Sequence, residues 1–261
     1  MKKIYSRFDK QRIPKLPQVL FDGRIETIVS ETEAEKAVDY LLRQPIIGFD
    51  TETKPIFKAG RQNEVALLQV SSKDICFLFR LNHIGMPACI LRLLTDSGNI
   101  KVGLSWHDDL RMLKKRKDFE PGKFVELQEM VCDFGIKDLS LQKLYANIFG
   151  EKISKSQRLS NWEADVLTEP QKLYAATDAW ACVMLYNELL RLKQDGYELE
   201  IVPEPEVPVP AEEKNKKEKK TRVRTKKTAQ HTKGNKSNAG YWRKKNVKKK
   251  STDNKEIIPN E

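Results

Sequence analysis

No stretch of this 261-residue chain is apolar for long enough to cross a bilayer, and the basic start Met1–Arg7 has no apolar run behind it that would make a secretory leader. The expectation is a soluble, cytoplasmic protein without a membrane partner. Cysteine is scarce. Cys76, Cys89, Cys132 and Cys182 show no Cys-x-x-Cys spacing and lie in apolar sequence, which argues against a zinc ribbon or a disulfide framework and predicts reduced core thiols. There is no internal repeat, so a solenoid is not expected.

Excess charge is also missing from most of the chain. The formal net charge is +11, yet 18 Lys and Arg against 8 Asp and Glu fall from Pro203 onward, which leaves the preceding residues close to neutral. A basic tail on a neutral body points to an anionic polymer or surface as partner. Because no amphipathic apolar face accompanies the lysines, nucleic acid is favoured over a membrane.

Residues 1–22 are polar, contain Pro14 and Pro17, and read as a loosely held arm. From there strand and helix patterns alternate. Arg24–Val29 reads as a strand, and Ser30-Glu31-Thr32-Glu33 is a capping box opening a helix with Ala34, Ala37, Val38, Leu41 and Leu42 on its apolar face. Ile46–Thr53 is the next strand, and Glu64–Val70 with Asp74–Phe79 reads as a hairpin around Ser71-Ser72-Lys73. A helix over Pro87–Leu94, a strand over Ile100–Leu104 and a helix from His107 follow. Phe124–Leu127 is a further strand candidate, Ser140 caps a helix to Ile148, and the last helix runs from Glu169-Pro170 to about Lys193. This alternation predicts one α/β domain with a mixed sheet over residues 23–196. Residues 197–213 read as a proline-rich spacer and 214–261 as a lysine-rich disordered tail.

The most informative stretch is Ile46-Ile47-Gly48-Phe49-Asp50-Thr51-Glu52-Thr53, an apolar run ending in two acids. Side chains alternate along a strand, so Asp50 and Glu52 share one face while Phe49 and Thr51 take the other. Two carboxylates at the rim of a core repel one another unless a cation lies between them. The alternative is an exposed strand end before a turn at Lys54-Pro55. In the last helix Tyr174 and Asp178 stand four residues apart on the stripe that continues through Ala181, Leu185 and Leu189. An aspartate facing that way needs a partner, a cation or a partly wet groove. Asp109 has Met112 and Leu113 at helical spacing, whereas Asp108 has Arg111, so Asp109 is expected to point inward and Asp108 to serve as a cap or a surface ion pair. His107 is expected to be a neutral residue at the helix start.

Together these residues resemble the motifs of the DEDD superfamily of 3′-5′ exonucleases. Phe49-Asp50-Thr51-Glu52-Thr53 is similar to the first motif, Val102-Gly103 leading to Asp109 and Leu113 to the second, and Tyr174-Ala175-Ala176-Thr177-Asp178 to the third. The tyrosine marks the DEDDy branch, and Leu159–Trp162 with Leu167–Ala181 looks closer to the Werner-syndrome-type exonuclease domain than to ribonuclease D proper. The resemblance covers about residues 24–195. It implies a ribonuclease H-like fold and two ions, Mg²⁺ or Mn²⁺, which suit an all-oxygen donor set. Carried over, Asp50, Glu52 and Asp178 hold one ion, Asp50 and Asp109 the other, and Tyr174 orients the attacking water. The implied substrate is single-stranded or 3′-ended nucleic acid, DNA or RNA.

Neither a helicase segment nor a helical nucleic-acid-binding domain of the kind that follows the catalytic domain in ribonuclease D is expected from this sequence. The tail, with Trp242 and Arg243 among its lysines, is expected to take the place of such a module. Lys155, Arg158 and Trp162 sit where a strand-binding loop would lie, with Trp162 equally placed to be a core anchor. The competing expectation is a catalytically silent exonuclease fold tethered to nucleic acid by the tail.

Overall fold

The structure is a computed structural model, and it describes residues 1–56 and 63–203. Its frame is a six-stranded mixed sheet built from β2 (Arg24–Ile28), β3 (Ile46–Thr53), β4 (Val65–Ser71), β5 (Ile75–Arg80), β6 (Ile100–Gly103) and β7 (Phe124–Glu126). The strand order is β2-β5-β4-β3-β6-β7. The β3–β4 and β4–β5 pairs are antiparallel, and the expected hairpin is β4–β5. The β2–β5, β3–β6 and β6–β7 pairs are parallel. Thus β3, the acidic strand, lies inside the sheet between β4 and β6.

One face is covered by α1 (Glu31–Leu41), α3 (Ala88–Thr95) and α4 (Trp106–Arg116), with the short α2 (Leu81–Ile84) at the end of β5. Their buried side chains, Ala37, Val38, Leu93, Leu110 and Leu113 among them, form a core with Phe49, Leu68 and Phe79. The capping box of α1 is complete, since Ser30 accepts from the Glu33 N–H at 3.3 Å and Glu33 accepts from the Ser30 N–H at 3.1 Å.

The other face carries α7 (Glu169–Asp195), with α5 (Leu127–Cys132) and α6 (Leu141–Phe149) beside it. A 27-residue helix needs a firm start, and Thr168 with Gln171 supplies a second capping box, with Pro170 in the first turn. Ser140 stands at the N-cap of α6 but makes no side-chain cap bond.

Gly48 decides how closely α7 approaches. A Cβ there would lie 1.9 Å from the Ala179 carbonyl oxygen, so only glycine lets the helix rest on β3. Because Gly48 is two residues from Asp50 and Ala179 is one from Asp178, this contact sets the distance between two of the candidate acids. Gly48→Ala is expected to destabilise the fold by about 1–3 kcal/mol through overpacking. In urea unfolding the midpoint should fall while the slope stays constant.

The terminal segments correct the sequence reading. Residues 1–22 are not a loose arm, and the body does not end at 196. β1 (Lys2–Tyr5) pairs in parallel with β8 (Tyr197–Glu200), and Ile4 is buried. Further along, Phe8 N–H donates to Asp138 at 2.6 Å, Phe21 N–H donates to Thr177 Oγ1 at 3.1 Å, and Val202 N–H donates to Ser6 Oγ at 2.8 Å. A four-residue strand whose partner lies at the far end of the domain leaves no local pattern, and its polar composition reads as loop. The expectation for the thiols also needs correction. All four are free, but Cys132, near the end of a short helix, is exposed. The expected spacer from residue 204 on and the basic tail lie outside the described residues. Among the described residues no helix is long and apolar enough to cross a membrane.

Candidate active site

The alternation of β3 places Gly48, Asp50 and Glu52 toward α7, and Phe49 and Thr51 toward α4. Asp178 on α7 is 7% exposed and Tyr174, one turn earlier, is 8% exposed. Tyr174 lies close enough to the Asp178 carboxylate for the two groups to perturb one another's protonation.

Asp109 comes from the opposite face. It is met there by Thr51, whose hydroxyl donates to Asp109 Oδ1, so the residue expected to turn away from the acids is the one that fixes the third of them. Helix α4 is itself anchored at its start. Ser105 adopts a left-handed conformation with φ 64°, and the buried carboxylate of Glu126 accepts the Ser105 N–H at 2.8 Å and the Trp106 N–H at 3.1 Å. A carboxylate there satisfies orphan donors and complements the helix dipole. Asp108 points outward to Arg111 at 3.0 Å, as the helical spacing predicts. His107 is exposed, stacks on Trp106, and lies 3.6 Å from Glu126.

A cleft of about 370 Å³ opens where β3 passes α4, with Glu52, Thr53, Lys54, Asp109 and Met112 in its wall. A second cleft of similar volume is lined by Leu20, Ser154, Pro170, Leu173 and Tyr174. Glu52 and Asp109 therefore face one cleft and Tyr174 the other.

The acids strongly perturb one another. Burial, with Asp109, Asp178 and Glu52 adding repulsion, raises the Asp50 carboxyl well above its ordinary value. Burial and the charges of Asp178 and Asp109 push Glu52 up to about 9, against the pull of Arg158. Burial raises Asp109 to about 6, opposed by the Thr51 hydrogen bond. It raises Asp178 to about 7, opposed by the Tyr174 hydrogen bond and by Lys155. Among the described residues no three of these side chains are already gathered on one point as a metal nest. The donor set still fits divalent cations of the Mg²⁺ class, because it is all oxygen and its members repel each other for want of positive charge.

A family model of 3′-5′ exonucleases matches residues 25–193. The chain belongs to the 3′-5′ exonuclease family. Over 151 residues it is 36% identical to the bifunctional 3′-5′ exonuclease/ATP-dependent helicase WRN of Mus musculus, a match covering 55% of this chain and 11% of that protein. It is also 36% identical over 150 residues to exonuclease 3′-5′ domain-containing protein 2 of Drosophila melanogaster, covering 56% of this chain and 25% of the relative. The chain thus spans a quarter or less of either relative. Among solved structures, the EXO domain of Aedes aegypti Nibbler superposes with a TM-score of 0.60 at 22% identity, covering 67% of this chain and 91% of that one. The exonuclease fold is ribonuclease H-like, as the resemblance implied.

Within this exonuclease fold the remaining expected site residues divide. Lys155 and Arg158 are exposed on the loop before α7, close enough for their charge to be felt by Asp178 and Glu52 respectively. Trp162 is not available to a strand. It is 0% exposed and packs with its ring centroid 5.9 Å from that of Tyr174, which makes it the core anchor that supports the tyrosine. A large aromatic beside basic residues gives the same sequence signal in either role, and burial decides between them. Trp242 and Arg243 lie outside the described residues. Thr51 and Glu126 were missed, since a threonine between two acids and a glutamate ending a short strand carry no signal of their own.

The shifts have a measurable consequence for stability. Free carboxyls of this kind titrate near 4, whereas in the folded, metal-free protein Asp109, Asp178 and Glu52 hold protons up to about 6, 7 and 9. The folded state therefore binds more protons than the unfolded chain across that window, and stability falls as pH rises through it. In EDTA the melting temperature should decline from about pH 5 to about pH 9, and Glu52→Gln should flatten the alkaline part of the decline. Calorimetry across that range checks both.

Proposed function

We propose that this chain is a 3′-5′ exonuclease of the DEDDy type, which removes nucleotides one at a time from the 3′ end of single-stranded or 3′-ended DNA or RNA. The observation that carries the reading is that Asp50 and Glu52 on β3, Asp109 on α4 and Asp178 on α7 lie near enough for their charges to act on one another, with Tyr174 one turn before Asp178. A polyanion has no reason to approach such a cluster unless cations offset its charge. Asp50, Glu52 and Asp178 would hold one Mg²⁺ or Mn²⁺ and Asp50 with Asp109 a second. The ions would supply charge neutralisation and Lewis acidity at the scissile phosphodiester.

The rest of the chemistry falls to the chain. In the metal-free protein, burial and the neighbouring carboxylates hold the Tyr174 phenol far above its ordinary value. A phenol of ordinary pKa near 10 is already protonated at neutral pH, so Tyr174 orients the attacking water. The water oxygen bonds to phosphorus as the bond to the 3′ oxygen of the preceding nucleotide breaks; the water gives up one proton to solvent, and the departing 3′ oxygen takes one from solvent. The products are a 5′-mononucleotide and a strand shorter by one residue with a new 3′ hydroxyl. Lys155 and Arg158 meet strand phosphates at the rim, and the cleft between β3 and α4 is of a size suited to the terminal nucleotide.

Chromatography of the products from DNA and RNA oligonucleotides with Mn²⁺ tests the proposal. Release of 5′-mononucleotides from at least one of the two supports it. Intact strands with both, despite binding, would favour the silent tether.

A further inference from the structure

Strand β4 is buried along its whole length, and in its sequence Val-Ala-Leu-Leu-Gln-Val-Ser one long polar side chain interrupts the aliphatics. That residue, Gln69, is 0% exposed, and neither its Nε2 nor its Oε1 has a hydrogen-bond partner among the described residues. A carboxamide brings two donors and an acceptor into the interior. Native interiors rarely leave such a group unmatched, and each instance calls for an explanation.

The sheet register supplies one. Gln69 is directly opposite Asp50 on β3 and opposite Leu78 on β5. Residues opposed in antiparallel strands project from the same face with Cβ atoms about 4.5–5.5 Å apart. On the β5 side the residue directly opposite is Leu78, of the apolar cluster of Leu67, Trp162 and Tyr174, with Cys76 and the donor-only Arg80 diagonal to it. Two residues along β4, Leu67 is apolar and Ser71 already gives its hydroxyl to the Ser72 carbonyl at 2.8 Å. Above the strand, α7 contributes Ala175 and Ala176 to the same cluster. Glu52 is diagonal to Gln69 on β3, but Asp50 is the directly opposed acceptor and has capacity to spare, since its Oδ1 takes the Thr51 N–H at 2.9 Å and a carboxylate has about four acceptor positions.

We infer that Gln69 is a positioning residue of the site, placed so that its side-chain N–H holds the Asp50 carboxylate in the orientation used when the acids are loaded. The inference rests on the exonuclease reading and adds to it a group that touches neither substrate nor metal. It also accounts for a glutamine where a methionine or leucine would fill the same space without an unmatched amide.

Gln69→Met keeps the volume and removes the amide. The full-length variant is expected to melt at or above the wild-type temperature, because an unpaired buried polar group is lost. Mn²⁺ affinity, measured by titration calorimetry, should nevertheless fall about 10-fold, in line with the loss of a group that orients a metal ligand. In kinetics kcat should fall by a similar factor while KM for an oligonucleotide stays within about twofold. The contact itself is read by NMR of the Gln69 side-chain amide, assigned by its disappearance in Gln69→Met. Its signals should move in metal-free Asp50→Ala and, in the wild type, on addition of Mg²⁺. Wild-type Mn²⁺ affinity and kcat in Gln69→Met would overturn the inference, as would amide signals indifferent to Asp50→Ala. If the wild type neither binds Mn²⁺ nor cleaves, the exonuclease reading fails, and the comparison with Asp50→Ala still decides whether the amide serves Asp50. That comparison also carries the test should Gln69→Met not fold.

Discussion

Asp109→Asn is expected to lower exonucleolytic turnover by about 10³-fold, while Asp108→Asn stays within about twofold of the wild type. The scale follows from the several kcal/mol that a metal clamp supplies to a transition state, at about 1.4 kcal/mol for each factor of ten. The two residues are neighbours in sequence and opposites in environment. Asp108 is exposed and paired with Arg111, and surface pairs of this kind contribute little. Asp109 is held by Thr51 beside Asp50, on a helix whose start is fixed by Glu126. Asp50→Ala, which removes the acid proposed to touch both ions, should leave no measurable turnover. The check is single-turnover kinetics with a short oligonucleotide. A dead Asp108→Asn beside an active Asp109→Asn would mean that the second motif is read one residue out of register.

Tyr174→Phe should cost about 10²-fold in kcat, the lower end of what positioned proton-handling groups contribute. The substitution removes a hydroxyl and leaves the ring against Trp162, so folding and metal affinity should be retained. The ordinary pKa of a phenol, near 10, keeps it protonated at neutral pH, so its contribution there is to position the water. The kcat of the wild type should therefore show no rise with pH around neutrality that disappears in Tyr174→Phe. Turnover equal to the wild type in this variant would remove Tyr174 from the mechanism.

Much of this arrangement was legible in the sequence because periodicity encodes direction. The two-residue period of β3 put Asp50 and Glu52 on one face, and the helical period of α4 and α7 turned Asp109, Tyr174 and Asp178 inward. The rest depends on contacts between segments remote in the chain. Nothing near Lys2–Tyr5 announces pairing with Tyr197–Glu200, and nothing near Thr51 announces Asp109. Glu126 acts on a helix whose N-cap, Ser105, lies twenty-one residues earlier. Trp162 shows the same limit from the other side, since its residue type fits stacking on a base and its place in the fold is the core. Gln69 is legible as an oddity in an aliphatic strand, but its relation to Asp50 exists only in the register of β3 against β4.

The central claim is that the acids gathered by β3, α4 and α7 form a metal-dependent site that shortens nucleic acid from its 3′ end. It is tested most directly by incubating the full-length protein with a 5′-labelled single strand and Mn²⁺, with EDTA and Asp50→Ala as controls. The expected result is a ladder of labelled products, each one nucleotide shorter than the last, lost in EDTA and absent with Asp50→Ala. A strand still full-length after prolonged incubation with Mn²⁺, or a ladder that persists in EDTA or with Asp50→Ala, would contradict it.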